Sequence, residues 1–230
     1  KVFNNAPWNN NGTKMEQLKE ALKSQANPEK AKIYQRFFKT KPGEYGEGDI
    51  FLGLTVPETR GIAKQFEHLS FNQIKEHLNS KYHEERLVAL LILVNNYQKN
   101  PKEELVNFYL QNTKHINNWD LVDLTADKIL GHYLLDKEKS VLYKLVKSPS
   151  LWERRISIIT TFTFVKNNQF QETFKIAKIL LNDKHDLIHK AVGWMLREVG
   201  KRDKPVLEKF LKENYQIMPR TMLRYSIEKF

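Results

Sequence analysis

Residues 86–91, RLVALL, form a short pattern that returns three times along the chain, as DLVDLT from Asp120, RRISII from Arg154 and KAVGWM from Lys190. The starts of the four copies are 34, 34 and 36 residues apart. The third position of each copy is Val or Ile, and the fourth is small in three copies, which suits close packing between helices. A period in this range, built from helix pairs, is typical of an α-solenoid of HEAT-like repeats.

Helical spacing of apolar residues continues through the rest of the chain, and no alternating strand pattern interrupts it. We therefore predict an all-α fold, an α-α superhelix (solenoid) of HEAT-like helical repeats. Predicted helices cover residues 14–24, 28–39, 57–67, 70–79, 83–99, 102–113, 118–135, 138–147, 150–165, 168–182, 186–200, 204–214 and 219–229. Ser70, Asn118 and Asp186 are predicted N-caps. The segment 40–55 contains four glycines and a proline, and we expect a structured loop there.

We expect residues 13–230 to form a single HEAT-like repeat domain. Residues 1–12 lack helical spacing, and we interpret them as a poorly ordered leader, either native or left over from expression. The longest apolar run, residues 87–94, is much shorter than the roughly 20 residues that cross a bilayer, so no membrane partner is expected. The absence of cysteine excludes disulfides, thiolate zinc sites and cysteine nucleophiles. The scattered histidines and the lack of a Walker-type loop predict neither a metal nor another cofactor.

The charge of the chain favours a polyanionic partner. The sequence has 38 Lys and Arg against 27 Asp and Glu, for a formal net charge of +11. A domain this basic is suited to nucleic acid, and such binding weakens as salt rises. The alternative is a solvated basic surface that only aids solubility.

Asp123 occupies the fourth position of the second repeat, where the other copies have a small residue. A lone aspartate beside an apolar stripe is usually a cap or a surface residue, and Asp120 fits that interpretation in the first turn of its helix. Asp123 lies one turn deeper, with Trp119 four residues earlier on the same face. It is either paired with a basic neighbour or exposed in a groove, and Arg155 of the next repeat is the candidate partner.

The tryptophans Trp119, Trp152 and Trp194 lie on or beside repeat helices at this register. One interpretation places all three in the core. Trp194, however, is accompanied by Lys190 and Arg197, and aromatic rings among cations suit stacking on sugars or bases with the cations on phosphates. The residues alone therefore predict a helical-repeat nucleic-acid binder in which Asp123 is the candidate catalytic carboxylate.

The order W-D-x-V-D, W-x-x-R and G-W-x-L-R-E along the chain resembles the AlkD family of bacterial DNA alkylation repair glycosylases. The resemblance covers nearly the whole chain and is carried by residues 43–60 (GEYGEGDIFLGLTVPETR), 83–93 (HEERLVALLIL), 117–135 (NNWDLVDLTADKILGHYLL), 151–162 (LWERRISIITTF), 185–203 (HDLIHKAVGWMLREVGKRD) and 218–230 (MPRTMLRYSIEKF). It implies a solenoid whose basic concave face holds duplex DNA. It also implies a monofunctional glycosylase that hydrolyses the N-glycosidic bond of cationic alkylated purines, such as 3-methyladenine and 7-methylguanine, in duplex DNA as part of base excision repair.

The family's residues carry over by position. Asp123 matches its catalytic aspartate, and Trp119 and Trp194 match its two sugar-facing tryptophans. Arg155 matches the arginine that holds the DNA backbone near the lesion. Tyr34, which precedes the glycine-rich loop, matches a tyrosine near the N-terminus of the family and is expected to bind DNA. A monomer is expected, acting in the bacterial cytoplasm and associated with the nucleoid when bound to DNA.

Two other functions fit the same fold. One is a non-catalytic binder of damaged or branched DNA, against which the presence of the full catalytic set counts. The other is a protein-binding helical scaffold, a common use of such solenoids.

Overall fold

The computed structural model describes residues 13–228, and within them every regular element is helical. This confirms the predicted all-α helical-repeat fold; the HEAT-like class of the repeats and the basic concave face stay predictions. The helices are α1 Lys14–Ser24, α2 Pro28–Phe37, α3 Val56–Gln65, α4 Phe71–Leu78, α5 His83–Lys99, α6 Glu103–Gln111, α7 Trp119–Asp123, α8 His132–Leu134, α9 Ser140–Leu145, α10 Leu151–Thr160, α11 Phe162–Lys166, α12 Gln171–Leu180, α13 Asp186–Gly200, α14 Lys204–Asn214 and α15 Arg220–Ile227. A 3₁₀ turn covers Thr113–His115 and a π-helical turn covers Asp127–Gly131. The predicted leader, residues 1–12, lies outside the described residues.

Two of the predicted helices are wrong in their extent, because the structure divides each of them into shorter elements. The predicted helix 118–135 consists of α7, the π-helical turn and α8. A Cβ atom on Gly131 would lie 2.6 Å from the carbonyl oxygen of Thr160, so this turn packs too closely on its neighbour for a side chain. The predicted helix 150–165 ends at Thr160 and restarts as α11, and the Thr161 hydroxyl donates to the carbonyl of Ile158 at 2.7 Å, a contact that often bends helices.

The predicted caps have different outcomes. Ser70 caps α4 as predicted, in a capping box with Gln73. The side chain of Asn118 accepts from the backbone N–H of Trp119, the next residue, and not from the second or third residue of α7 as a capping side chain does, so its role as a cap stays a prediction. The prediction for Asp186 is wrong, since it is the first residue of α13 and His185 is the cap. The ring of His185 accepts from the N–H of Leu187, a hydrogen bond that Asp186 is one residue too late to make.

The chain divides into two compact units, the first ending at Leu121 and the second beginning at Val122. In the first unit α3 and α4 pack against α5. The run LVALLILV, residues 87–94, lies in α5 and is buried on every side, as expected of a helix without a polar face. Among residues 13–228, no helix combines the length and the apolar character that crossing a membrane requires.

The loop 40–55 is tightly held in the first unit. The Glu84 carboxylate accepts the backbone N–H groups of Leu52, Gly53 and Leu54 at 2.9, 2.8 and 3.2 Å. Gly53 has a φ of +90°, and a Cβ there would lie 2.1 Å from the carbonyl oxygen of Asn27. Only glycine fits this approach of the loop to α2, so the loop is the structured connector that its composition predicts.

In the second unit α13 is the central helix, and α10, α14 and α15 pack against it. Gly193, at the fourth position of the last repeat, faces α15. A Cβ there would lie 2.4 Å from the Cβ of Tyr225 and 2.6 Å from the carbonyl oxygen of Met222. Ala89 and Ser157, at the same position in other repeats, are fully buried. The small residues of the repeat therefore serve close packing.

We expect Gly193→Ala to lower the free energy of unfolding by roughly 1–3 kcal/mol, because the added methyl group must push α15 away from α13. Urea denaturation monitored by circular dichroism measures the change. Gly61→Ala is the matched control. A Cβ on Gly61 meets no atom within 4 Å, so this change in α3 should stabilise by up to about 1 kcal/mol through helix propensity. Equal effects of the two substitutions would contradict the packing argument.

Candidate functional site

The carboxylate of Asp123 is clamped by Arg155. Nε of Arg155 donates to Oδ1 of Asp123 at 2.9 Å, and Nη2 donates to Oδ2 at 2.8 Å. The side chain of Asp123 is 16% exposed and that of Arg155 is 6% exposed. A bidentate pair of this kind is strong and fixes the orientation of the carboxylate. The predicted pairing of Asp123 with Arg155 is thus confirmed, and the carboxylate still reaches the surface.

Arg155 is buried, and its guanidinium serves the protein itself. Besides the two hydrogen bonds to Asp123, Nη1 donates to the carbonyl oxygen of Leu187. These contacts use three of the five N–H donors that an arginine carries. Arg155 therefore positions Asp123 in the free protein, and its contact with the DNA backbone stays a prediction.

Trp119 begins α7 and is half-buried at the edge of an aromatic stack in the first unit. Its ring stacks on Phe38 with centroids 5.1 Å apart and planes 19° apart. Phe38 stacks in turn on Phe51 at 4.9 Å. Phe37 meets the edge of Trp119 at 5.9 Å and is 59% exposed. The indole is therefore held by rings on one side, and Phe37 extends the aromatic surface toward solvent.

Tyr34 lies behind this stack. Its ring meets the edges of Phe38 and Phe51 at 6.1 and 5.9 Å. Burial raises the pKa of the Tyr34 hydroxyl, and the nearby carboxylates of Glu58 and Glu84 raise it further. Among the described residues, Phe37 rather than Tyr34 contacts Trp119 from the exposed side, and sequence reasoning missed it. The adjacent pair Phe37–Phe38 at the end of α2 was the available signal.

A second feature that sequence reasoning missed is a buried charged network around His83. Nε2 of His83 lies 2.7 Å from Oδ2 of Asp120, and Nδ1 lies 3.2 Å from Oδ2 of Asp49. Nη2 of Arg86 lies 2.7 Å from the other oxygen of Asp49, which also accepts from Asn117 at 2.6 Å. Asp120 does lie in the first turn of α7 as expected, but it is a buried partner of His83 and not a surface residue.

Burial lowers the pKa of His83, but Asp120 and then Asp49 outweigh it and raise the pKa to about 9. For Asp49, burial acts to raise the pKa, and the contacts with His83, Arg86 and Asn117 bring it below its ordinary value. His83 and Asp49 are therefore both charged at neutral pH. His83 and Asp120 are 37 residues apart in sequence, and no local pattern connects them.

In the second unit, α13 carries the remaining predicted residues on one face. Lys190, Trp194 and Arg197 follow at i, i+4 and i+7, so their side chains project from the same side of the helix. Trp194 is half-buried and tilted against Phe162, with centroids 5.6 Å apart.

The two cations on this face have carboxylate partners. Nζ of Lys190 pairs with Asp186 at 2.7 Å, and Arg197 pairs with Glu228. Trp152 is buried, which agrees with its interpretation as a core residue. No cluster of three or more His, Asp or Glu side chains within residues 13–228 is arranged to hold a metal ion.

We expect Arg155→Ala to lower the free energy of unfolding by about 3 kcal/mol, because it leaves a poorly solvated carboxylate without its partner. Lys190→Ala is the control. Its ion pair with Asp186 is much more exposed, so the loss should stay below about 1 kcal/mol. Urea titration of both variants gives the comparison, and wild-type stability of Arg155→Ala would refute the clamp.

Comparisons with known proteins identify the family and the fold of the chain. The family model described as DNA alkylation repair enzyme matches residues 18–230. The solved structure described as "Predicted DNA alkylation repair enzyme from Enterococcus faecalis" has a TM-score of 0.71 and 20% identity, and the match covers 90% of this chain and 97% of that one. The smu.31 protein from Streptococcus mutans UA159 has a TM-score of 0.56 and 17% identity over 95% of this chain and 99% of that one. No curated protein is significantly similar to the chain. These identities show a shared fold, and the family match over nearly the whole sequence confirms the resemblance: the chain belongs to the DNA alkylation repair enzyme family.

Proposed function

We propose that this protein is a monofunctional DNA glycosylase, which releases cationic alkylated purines such as 3-methyladenine and 7-methylguanine from duplex DNA. Membership of the family gives it a role in the repair of DNA alkylation damage and implies DNA binding. The finer activity rests on one observation, the Asp123 carboxylate that Arg155 holds rigidly while part of it stays exposed. We place the protein in the bacterial cytoplasm, acting as a monomer.

The chemistry needs little more than such a carboxylate. A purine alkylated at N3 or N7 carries a positive charge, so it leaves without a general acid. Positive charge develops on the deoxyribose as the C1′–N9 bond breaks, and the bond's electron pair neutralises the departing purine. A carboxylate held in advance stabilises that charge and positions the water that attacks C1′. Asp123 takes the proton of this water and returns it to solvent.

The tryptophans supply a second source of stabilisation. An indole face attracts positive charge, and Trp119 and Trp194 are both half-buried, so part of each ring remains accessible. The stack on Phe38 holds Trp119 in one orientation before substrate arrives. Phe37 adds an exposed ring beside it. DNA binding by Tyr34, which the family resemblance implies, stays a prediction.

The cations of α13 are suited to DNA phosphates. Lys190 and Arg197 are paired with Asp186 and Glu228, and both carboxylates are more than half exposed. The Lys190–Asp186 pair is exposed on both sides, and pairs of this kind contribute about 0–1 kcal/mol, so exchanging its carboxylate for a phosphate costs little. The Arg197 side chain is 15% exposed, and its partner Glu228 is the exposed member of that pair. Arg155 is buried and holds Asp123, so the DNA contact proposed for it would use the N–H donors left beyond the three that bind Asp123 and Leu187.

We expect Asp123→Asn to reduce the rate of base release by about 100-fold or more, since the substitution removes the negative charge at the reacting sugar. The assay quantifies free 3-methyladenine or 7-methylguanine liberated from alkylated duplex DNA in single-turnover conditions. Asp136→Asn, on an exposed residue of the same unit, is the matched control and should behave as wild type. Affinity for the duplex should be preserved in both.

Two outcomes would reject the proposal. Full activity of Asp123→Asn would show that Asp123 is not the catalytic carboxylate. No release by the wild-type protein, with duplex still bound in low salt, would favour the non-catalytic binder of damaged or branched DNA. Failure to bind DNA at all would favour a protein-binding scaffold.

DNA affinity should fall linearly with the logarithm of salt concentration, because each neutralised phosphate releases counterions. Replacing Lys190 or Arg197 by alanine should reduce the steepness of that line by about one unit each. Fluorescence anisotropy of a labelled duplex at several salt concentrations measures it. Lys209→Ala, on the exposed side of α14, should leave the slope unchanged. Identical slopes in all four proteins would exclude α13 from the DNA interface.

A further inference from the structure

We infer that His83 is a positioning residue for the proposed reaction: clamped between Asp49 and Asp120, it holds the first turn of α7 and thereby the indole of Trp119. The inference rests on the proposed function, in which Trp119 faces the sugar. His83 itself is 2% exposed at its side chain and does not reach the substrate. It acts through the two groups that connect it to Trp119.

The geometry requires a charged ring. Both nitrogens of His83 lie within hydrogen-bonding distance of carboxylate oxygens, 2.7 Å from Asp120 and 3.2 Å from Asp49. An ionised carboxylate only accepts hydrogen bonds, and a neutral imidazole has a single N–H. Both contacts are hydrogen bonds only when both ring nitrogens carry a proton. His83 is therefore an imidazolium that links the loop 40–55 to α7.

The charges around the ring come from three elements. Asp49 belongs to the loop, Asp120 to α7 and Arg86 to α5, where Arg86 pairs with Asp49. Glu84 also belongs to α5, but its carboxylate is bound by backbone N–H groups of the loop. The two carboxylates on the ring outweigh burial and the repulsion from Arg86, and they raise the pKa of His83 to about 9. The charge is thus present throughout the neutral range.

Two routes lead from His83 to Trp119. The first is the chain itself, since Asp120 follows Trp119 directly. The second is the aromatic stack, since Phe38 lies 5.3 Å from the imidazole and 5.1 Å from the indole, centroid to centroid. Phe51 stacks on the imidazole at 4.5 Å and on Phe38 at 4.9 Å. Imidazole, phenyl and indole rings therefore form one packed group.

A cavity of about 140 Å³ borders this group. Phe37, Phe38, Phe51, His83 and Asp120 are among the residues that line it. The free space lets these side chains rearrange when one of them changes. Loss of the His83 charge would leave two neighbouring buried carboxylates in mutual repulsion, with Arg86 the cation left to offset them, and Asp120 would move with the start of α7.

The first experiment tests the charge and needs no enzymatic activity. Long-range ¹H–¹⁵N correlation spectra of the full chain, recorded from pH 6 to 10, report protonation of each histidine ring. The signal absent from His83→Gln belongs to His83. We expect both of its nitrogens to be protonated at pH 7.5, with a transition near pH 9. A neutral ring at pH 7.5 would overturn the inference.

The second experiment tests positioning. His83→Gln should slow single-turnover base release by about 10-fold or more at pH 7.5, with duplex affinity unchanged. The ratio of wild-type to variant rate constants should fall toward one as the pH rises through 9, because the wild type then loses the same charge. The substrate's own dependence on pH cancels in this ratio. A ratio that is constant with pH would show that His83 has only a structural role.

His77→Gln is the matched control. His77 is also fully buried in the first unit, and its Nδ1 lies 3.4 Å from Glu85. Its substitution should lower stability without changing the rate of base release by the folded protein. An equal loss of rate in both variants would overturn the inference, because the effect would then be general to buried histidines of the unit.

The raised pKa of His83 also makes the stability of the folded protein depend on pH. The pKa of His83 is about 9 in the folded protein and has a reference value of 6.5. Its contribution to stability is therefore fully present below about pH 6.5 and is lost as the pH rises through 9. The difference in Tm between wild type and His83→Gln should shrink accordingly between pH 7 and pH 10.

The indole N–H resonance of Trp119 separates failure of the inference from failure of the proposed function. It should shift in His83→Gln and stay in place in His77→Gln. If the wild type releases no base, the glycosylase proposal fails, but a shift confined to His83→Gln still supports the positioning role. An unmoved resonance in His83→Gln would refute that role whatever the activity.

Discussion

Desolvation of carboxylates is the constraint on which the rest of this structure depends. A charge removed from water must find a partner, because an unpaired buried ion is far more costly than an exposed one. Asp49, Glu84 and Asp120 are buried, and each is bound by a cation or by backbone N–H groups. Their partners lie on other segments, so each pairing also fixes a connection in the fold.

Asp123 meets the same constraint differently. Arg155 satisfies it from the next repeat, but the carboxylate remains partly exposed, whereas the carboxylates of the His83 network are almost wholly enclosed. A charge that is oriented by the protein and still accessible is what a reaction with developing positive charge requires. The clamp that makes the charge tolerable in the fold therefore also preorganises it for the proposed chemistry.

The local pattern of the chain predicted most helices to within a few residues, since apolar periodicity and capping residues act over one or two turns. It failed between residues 118 and 135, where the apolar spacing continues but the helix does not. Gly131 lies against the carbonyl oxygen of Thr160, and the local sequence pattern does not predict this contact between repeats. The π-helical turn begins four residues after Asp123, at which α7 ends, and Gly131 packs its far end against Thr160. Tertiary packing therefore acts on the chain that follows the candidate carboxylate.

The sequence by itself determined the all-α repeat and the small packing positions, and it identified Arg155 as the candidate partner of Asp123, because the repeat period places nearly equivalent sites of adjacent repeats side by side. Only the tertiary structure decided the partners of His83, the place of Phe37 beside Trp119 and the enclosure of Arg155. The contacts of His83 and Phe37 join the loop 40–55, α2, α5 and α7, and those of Arg155 join α10 to α7 and to α13. They depend on which charges and rings are brought together when the chain packs, and the local sequence pattern does not specify these partners.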